Sequence, residues 1–277
     1  MFSIIIPTYN NYEYLKLSLN SIKKNSKYNH EVILHINDGS DGSLNYAIEN
    51  KIKYSYSKIN IGLCSSINLA SKLTTHKYIL YSHDDMYFCP FWDEYLYDEV
   101  NKIGHDNFYI SGTMIEPNSG HIIFNCGEDI DNFNEIKLLE NIDKLNIQDH
   151  QGSHFAPHLV SKKMWDDVGG FSEEFNPGIA SDPDFNMKLW KNNVRIFKGL
   201  SNFKVYHFGS ITTRKKKLTQ NRGDRTFLKK WGITTKFFKK YYLKSNTKYD
   251  GPLENPKISF GFLIGLIGCK IRSIFTI

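Results

Sequence analysis

The sequence predicts an α/β protein built on a doubly wound, mostly parallel sheet with helices on both faces. Three observations carry this. The first ninety residues alternate strand-length apolar runs with segments of helical spacing; the chemically distinctive residues fall just after those runs; and 277 residues suffice to bury a full α/β core. In sheets of this kind ligands bind beyond the carboxyl ends of the strands.

Phe2-Ser-Ile-Ile-Ile-Pro7 reads as the first strand, Tyr12, Leu15, Leu19 and Ile22 as one face of a helix, and Glu31-Val-Ile-Leu-His-Ile36 as the second strand. Asp38-Gly39-Ser40-Asp41-Gly42 makes the next turn, where Ser40 or Asp41 suits a helix cap. Tyr54 to Ser57 is a short strand, Asn60-Ile-Gly62 a turn, and Leu63 to Leu73 a helix. The chain then returns to the apolar run Lys77 to Ser82, and directly after it stands His83-Asp84-Asp85-Met86. Two adjacent carboxylates at the end of a buried strand suit Mg²⁺ or Mn²⁺, which take hard oxygen donors together with phosphate oxygens. A polar strand end turning before Pro90 explains the same residues without a ligand.

In the second half, Ser153 to Val160 reads as a strand before a helix that carries Trp165. His150, His154 and His158 are spaced four apart, but Gly152 and Pro157 argue against a zinc-binding helix. Ser181-Asp-Pro-Asp184 opens a helix whose buried face holds Phe185 and Leu189, and Asp182 before Pro183 is a natural N-cap. His207 lies in the strand-like segment Lys204 to Ser210.

Several classes are disfavoured. A glycine-rich dinucleotide fingerprint is missing after the first strand, which argues against NAD or FAD. Cys64, Cys89, Cys126 and Cys269 stand far apart without CxxC spacing, so neither a zinc site nor a disulfide framework is expected. The first residues run straight into a strand without a basic and apolar leader, so the expectation is a cytoplasmic protein.

Ile4-Ile-Ile-Pro-Thr-Tyr-Asn10, Asn37-Asp-Gly-Ser-Asp41, Asn60-Ile-Gly62, His83-Asp-Asp85, Val168-Gly-Gly-Phe-Ser-Glu-Glu174 and Ser181-Asp-Pro-Asp184 together resemble, in order and spacing, the signatures of the family 2 glycosyltransferases, which have the GT-A fold. The resemblance covers residues 1–213 and leaves 214–277 as a basic, aromatic helical appendage with an apolar tail. It implies transfer of a sugar from a nucleoside diphosphate sugar, a UDP-sugar by expectation, to a hydroxyl of a glycan or lipid-linked acceptor, with inversion. It also implies site roles. Pro7, Thr8, Tyr9, Asp38, Asn60, Gly62 and Asp84 would bind the nucleotide, and Asp85 and His207 would bind Mn²⁺ or Mg²⁺. Asp182 would take the proton from the acceptor hydroxyl, and His83, His154, Trp165, Gly170 and Phe171 would border the donor and acceptor pocket. The sequence departs from the family pattern at His83, where an acid is usual, and at Ser181, where the family has Glu.

Local chemistry competes with several of these roles. Asp-Gly is a common turn pair, a strand histidine is commonly structural, and Gly169-Gly170 with flanking aromatics also describes a helix end tucked into a core. Two other activities stay open: a nucleotidyltransferase making an activated sugar, although its triphosphate-gripping loop is missing, and a non-catalytic nucleotide- or carbohydrate-binding relative.

From Arg214 to Tyr242, Lys and Arg are interleaved with Phe, Trp and Tyr, and the apolar run Ile258 to Cys269 follows. That run is too short to span a bilayer comfortably, so the expectation is an anionic membrane surface as partner, not nucleic acid. A solvated helical face and a tail packed on the protein or in an oligomer are the structural alternatives.

Overall fold

The computed structural model describes residues 1–152, 154–209 and 222–275. The basic run Arg214 to Lys217 lies outside them, as does Ser153. The first half is β1 (Ser3–Tyr9), α1 (Tyr12–Asn25), β2 (Glu31–Asn37), α2 (Ser43–Glu49), β3 (Lys53–Ser57), α3 (Leu63–Ser71), β4 (Tyr78–Tyr81), β5 (Met86–Phe88), α4 (Trp92–Ile103) and β6 (Phe108–Glu116). It continues with β7 (Ile122–Ile123), α5 (Glu135–Asn141), β8 (His150–Gln151), β9 (His158–Ser161), α6 (Lys162–Val168), a 3-10 turn (Glu173–Phe175), α7 (Ser181–Lys191) and β10 (Ile196–His207). Three helices follow among the described residues: α8 (Gly223–Trp231), α9 (Thr235–Tyr241) and α10 (Phe260–Ile274).

One sheet runs β3-β2-β1-β4-β9-β6-β10-β5, with β7 beside β6 and β8 beside β10. The β3-β2-β1-β4 half is parallel, as the alternation predicts. Consecutive Ile4, Ile5 and Ile6 are all fully buried although neighbouring side chains point to opposite faces, so the sheet is covered on both sides. Each such isoleucine contributes about 1.5–3 kcal/mol of burial free energy. Pro7 is tolerated in this central strand because β4 pairs β1 only from Ser3 to Ile5, so on that side no ladder bond is lost.

The other half is mixed. β9 is antiparallel to both β4 and β6, and β5 is antiparallel to β10. The strand expected over 153–160 is shorter and later, His158–Ser161, since only there does the chain meet β4 in register. The β5–β10 pairing puts His207 opposite Met86, and the parallel β6–β10 pairing puts Tyr206 opposite Ile115. These two registers bring the ends of three strands together.

Candidate active site

At the ends of β1 and β2 the chain turns through positive-φ residues, Asn10 (φ 45) and Asp38 (φ 63). The Asn10 amide donates to Asp38 Oδ2 at 2.7 Å, and Asp38 N–H donates to Ser57 O at 2.8 Å. Neither Ser40 nor Asp41 holds the cap position of α2, which is Gly42 without a side-chain cap bond; Asp41, just before it, accepts from Tyr12 N at 2.7 Å and from Ser43 N at 3.1 Å and so ties together the starts of α1 and α2. Asn37 ties in the next turn, accepting from Ile61 N and donating to Thr8 O. Asn60 Oδ1 accepts from Gly62 N at 2.9 Å. Gly62 has φ 86, and a Cβ there would stand 2.5 Å from the Asn176 side chain, so this glycine is needed for close approach.

β4 ends at Tyr81, and the following turn presents His83, Asp84 and Asp85. Asp84 is buried and accepts from Asn11 Nδ2 at 3.1 Å; burial and then the Asp85 charge raise its pKa, against the Thr8 and Asn11 groups beside it. His83, Asp85 and His207 each offer a ligand atom, and these atoms lie within 4.8 Å of one another. Part of His83 reaches the surface, yet its Nε2 is buried without a hydrogen-bond partner, and burial pushes its pKa down to about 4. His207 Nε2 pairs with Asp85 Oδ1 at 3.3 Å, an ion-pair distance at the long end for a hydrogen bond. Its Nδ1 is 2.6 Å from Oε1 of Glu116, at the end of β6. Burial alone would lower the His207 pKa; the Asp85 and Glu116 carboxylates overcome it and raise it to about 10. Glu116 belongs to none of the motifs, and its only sequence signal is its place at the end of an apolar run.

Asp182 lies in the first turn of α7 but does not cap it. The cap position is Ala180, in the left-handed region, with no side-chain cap bond. Asp182 keeps part of its surface exposed, whereas its Oδ1 is buried without a hydrogen-bond partner. Burial raises its pKa to about 7, outweighing the helix dipole, which would lower it. The neighbouring acid is engaged: Asp184 accepts from Ser172 Oγ at 2.6 Å and from Trp231 Nε1 at 2.8 Å, with Lys230 Nζ at 3.0 Å. Tyr81 lies beside His83, with ring centroids 5.4 Å apart, and feels charge from both acids. Its buried hydroxyl has no hydrogen-bond partner, and after burial itself the charges of Asp182 and Asp85 contribute to raising its pKa.

Other candidates fall into packing roles. Phe171 stacks on Phe185 with centroids 4.8 Å apart and 9° between planes, and Trp165 packs against both. Phe171, Trp165 and Phe175 are buried, so their rings are occupied by the core and present no open face to a sugar. Gly170 (φ 61) lets Asn68 close a pair of hydrogen bonds with Phe171, N–H to Oδ1 at 2.9 Å and Nδ2 to O at 2.8 Å. His154 is buried beside Phe155, with Nδ1 3.4 Å from Gly152 O. His158 Nδ1 bonds the Tyr109 hydroxyl at 2.9 Å, and His150 packs against His121 with the rings tilted by 41°, so the three spaced histidines have separate partners.

The family model described as glycosyl transferase family 2 matches residues 3–156. This span includes the nucleotide-side motifs and Glu116, while Asp182 and His207 lie beyond it. Two proteins named as uncharacterized glycosyltransferases are similar. One from Rickettsia bellii is 36% identical over 234 residues, 79% of this chain and 29% of that protein. One from Rickettsia conorii is 36% identical over 118 residues, 40% of this chain and 19% of that protein. The chain thus spans less than a third of the length of these relatives. Among solved structures, S. aureus TarS 1–349 superposes with a TM-score of 0.60 at 15% identity over 99% of this chain and 72% of its own. TarS 1–349 in complex with UDP-GlcNAc gives 0.56 at 19% identity, over 76% of this chain and 60% of that one. GalNAc-T7 with UDP, GalNAc and Mn²⁺ gives 0.61 at 13%, over 86% of this chain and 49% of that one. At such identities the likeness is one of fold.

Proposed function

Since the chain belongs to glycosyl transferase family 2 and has the GT-A fold, we propose that it transfers a sugar from a UDP-sugar to a hydroxyl of a glycan or lipid-linked acceptor, inverting the anomeric carbon in a single displacement. The observation that carries this reading is the metal-ligand constellation of His83, Asp85 and His207, with Asp182 and its partnerless buried Oδ1 as a second acid group. The solved relatives carrying UDP-GlcNAc, or UDP with Mn²⁺, support the donor class. We assign residues 1–213 to the transferase unit and 214–277 to an appendage.

The residues present fit a divalent cation. His83 Nε2 is buried without a hydrogen-bond partner, His207 Nε2 faces Asp85 at 3.3 Å and would exchange its proton for the cation, and the two imidazoles favour Mn²⁺ over the all-oxygen preference of Mg²⁺. His83, Asp85 and His207 would hold it, and when bound it supplies positive charge against the departing diphosphate. Thr8, Tyr9, Asp38, Asn60 and Asp84, at the strand ends, would hold base and ribose. The acceptor oxygen attacks the anomeric carbon as the bond to the diphosphate breaks, the electron pair leaving with the diphosphate. The proton of the acceptor hydroxyl passes to Asp182. A pKa of about 7 suits this role, because a base is most effective when its pKa lies near the working pH.

The test is a product assay with a panel of UDP-sugars, with and without Mn²⁺. Release of UDP with an inverted glycosidic product by NMR supports the proposal. Pyrophosphate release would point to a nucleotidyltransferase, and neither product to a binding protein.

A further inference from the structure

Helix α10 has two opposed faces, and both are apolar. One is docked: Phe262 lies against Phe237 and Tyr241 of α9 with centroids 5.0 and 5.3 Å apart, and Cys269 Sγ accepts from Thr234 N at 3.4 Å. Gly265 permits the approach, since a Cβ there would stand 2.9 Å from the Phe237 ring. The other face is open. Phe260, Leu263, Ile264, Ile267, Ile271, Ile274 and Phe275 are all exposed, Phe260 by 81% and Phe275 by 82%. At about 100° per residue these seven fall within a stripe of roughly 120° opposite the docked face.

The borders of that stripe are basic. Lys270 lies on one edge, and on the other Lys236 and Lys240 of α9 line the groove beside Gly265 and Gly268. Within residues 222–275 there are twelve Lys and Arg against three Asp and Glu, so the rest of the chain has no share in the net charge of +6. We propose that this stripe is a docking surface for an anionic lipid bilayer, with α10 lying in the plane of the interface. Its 15 residues span about 22 Å, short of the ~30 Å hydrocarbon core, and no helix among the described residues is long and apolar enough to cross a membrane. An apolar stripe flanked by lysines is the pattern of such interfacial helices, in which the stripe enters the acyl boundary and the ammonium groups stay among the headgroups. Two copies meeting on the same stripe would instead bring like charges together.

The surface reaches toward the candidate base. α10 packs with α8 and α9, and α8 holds Asp184 through Lys230 and Trp231, two residues from Asp182. The docking proposal stands apart from the transfer reaction, because vesicle binding is read without donor or acceptor.

The experiment is flotation of the full chain with phosphatidylglycerol/phosphatidylcholine vesicles and with phosphatidylcholine vesicles, together with light scattering. The full chain is expected to float with the anionic vesicles and to lose about tenfold of that binding at high salt. The variant Ile267→Glu with Ile271→Glu changes only exposed positions; it should keep the wild-type melting temperature and stay in the bottom fraction. Lys236→Glu, Lys240→Glu and Lys270→Glu together should weaken binding to anionic vesicles and leave the neutral ones unaffected. Wild type that does not float, or an isoleucine variant that floats as well as wild type, overturns the proposal. A wild-type dimer that the isoleucine variant dissociates, with flotation unchanged, would assign the stripe to a second copy.

Discussion

Glu116 Oε1 stands 2.6 Å from His207 Nδ1, joining the ends of two parallel strands 91 residues apart. The contact fixes which ring nitrogen faces inward. With Nδ1–H donated to a carboxylate, Nε2 is left to face Asp85 and His83, the arrangement by which a second carboxylate orients a histidine ligand. Burial would raise the Glu116 pKa, but His207 and Ser119 hold it below the usual carboxylate range.

Glu116→Gln should therefore lower Mn²⁺ affinity by about 10–100-fold, the usual cost of losing such an outer partner. Calorimetric titration of Mn²⁺ in the presence of UDP reads this directly. Unchanged affinity would reduce Glu116 to a structural residue.

Asp85→Asn removes the only carboxylate among the three candidate ligands. UDP affinity should lose its dependence on Mn²⁺ while metal-free UDP binding persists through the strand-end residues. If Mn²⁺ still strengthens UDP binding in the variant, the cation is held elsewhere.

Asp182→Asn should preserve UDP-sugar binding and lower turnover by at least about a hundredfold. Two pH dependences accompany this. Wild-type activity should rise with pH through about 7, as the carboxyl gives up its proton and becomes able to accept another. Stability moves the other way. Because burial raises this carboxyl's pKa in the folded state, the native protein holds more protons than the unfolded chain between its ordinary value near 4 and about 7. Its contribution therefore falls as pH climbs through that window. The melting temperature of Asp182→Asn relative to wild type should increase from pH 4 to pH 8; a difference independent of pH would mean that the carboxyl is not buried as described.

The parallel half of the sheet was legible because each of its signals is local. Ile4 to Ile6 form a strand buried on both faces, and Leu15, Leu19 and Ile22 repeat at helical spacing. What was hidden depends on register between distant segments. Glu116 meets His207 only because β6 and β10 pair in parallel, and nothing near Glu116 in sequence announces it. The aromatics at 165–175 illustrate a different limit: rings beside a double glycine fit a sugar platform and a packed core equally well, and only the stacking of Phe171 on Phe185 decides for the core.

Asp182 and Asp184 flank the same proline, and the choice between them rests on a helix that begins some forty residues later. Asp184 is fully buried and receives Ser172, Trp231 and Lys230, so its carboxylate is committed to joining α7, the 3-10 turn and α8. Asp184→Ala would leave the Trp231 N–H without its acceptor, while the exposed Lys230 keeps Glu174 at 2.7 Å, so the cost is that of a buried donor left unpaired, about 1–3 kcal/mol. Denaturant unfolding should show a loss of that size. Trp231→Phe removes a single donor and should cost about 1–3 kcal/mol. Because both changes act on one contact, the double variant should be less destabilised than the sum of the two; strict additivity would show that α8 is held by other contacts and that Asp184 serves another purpose.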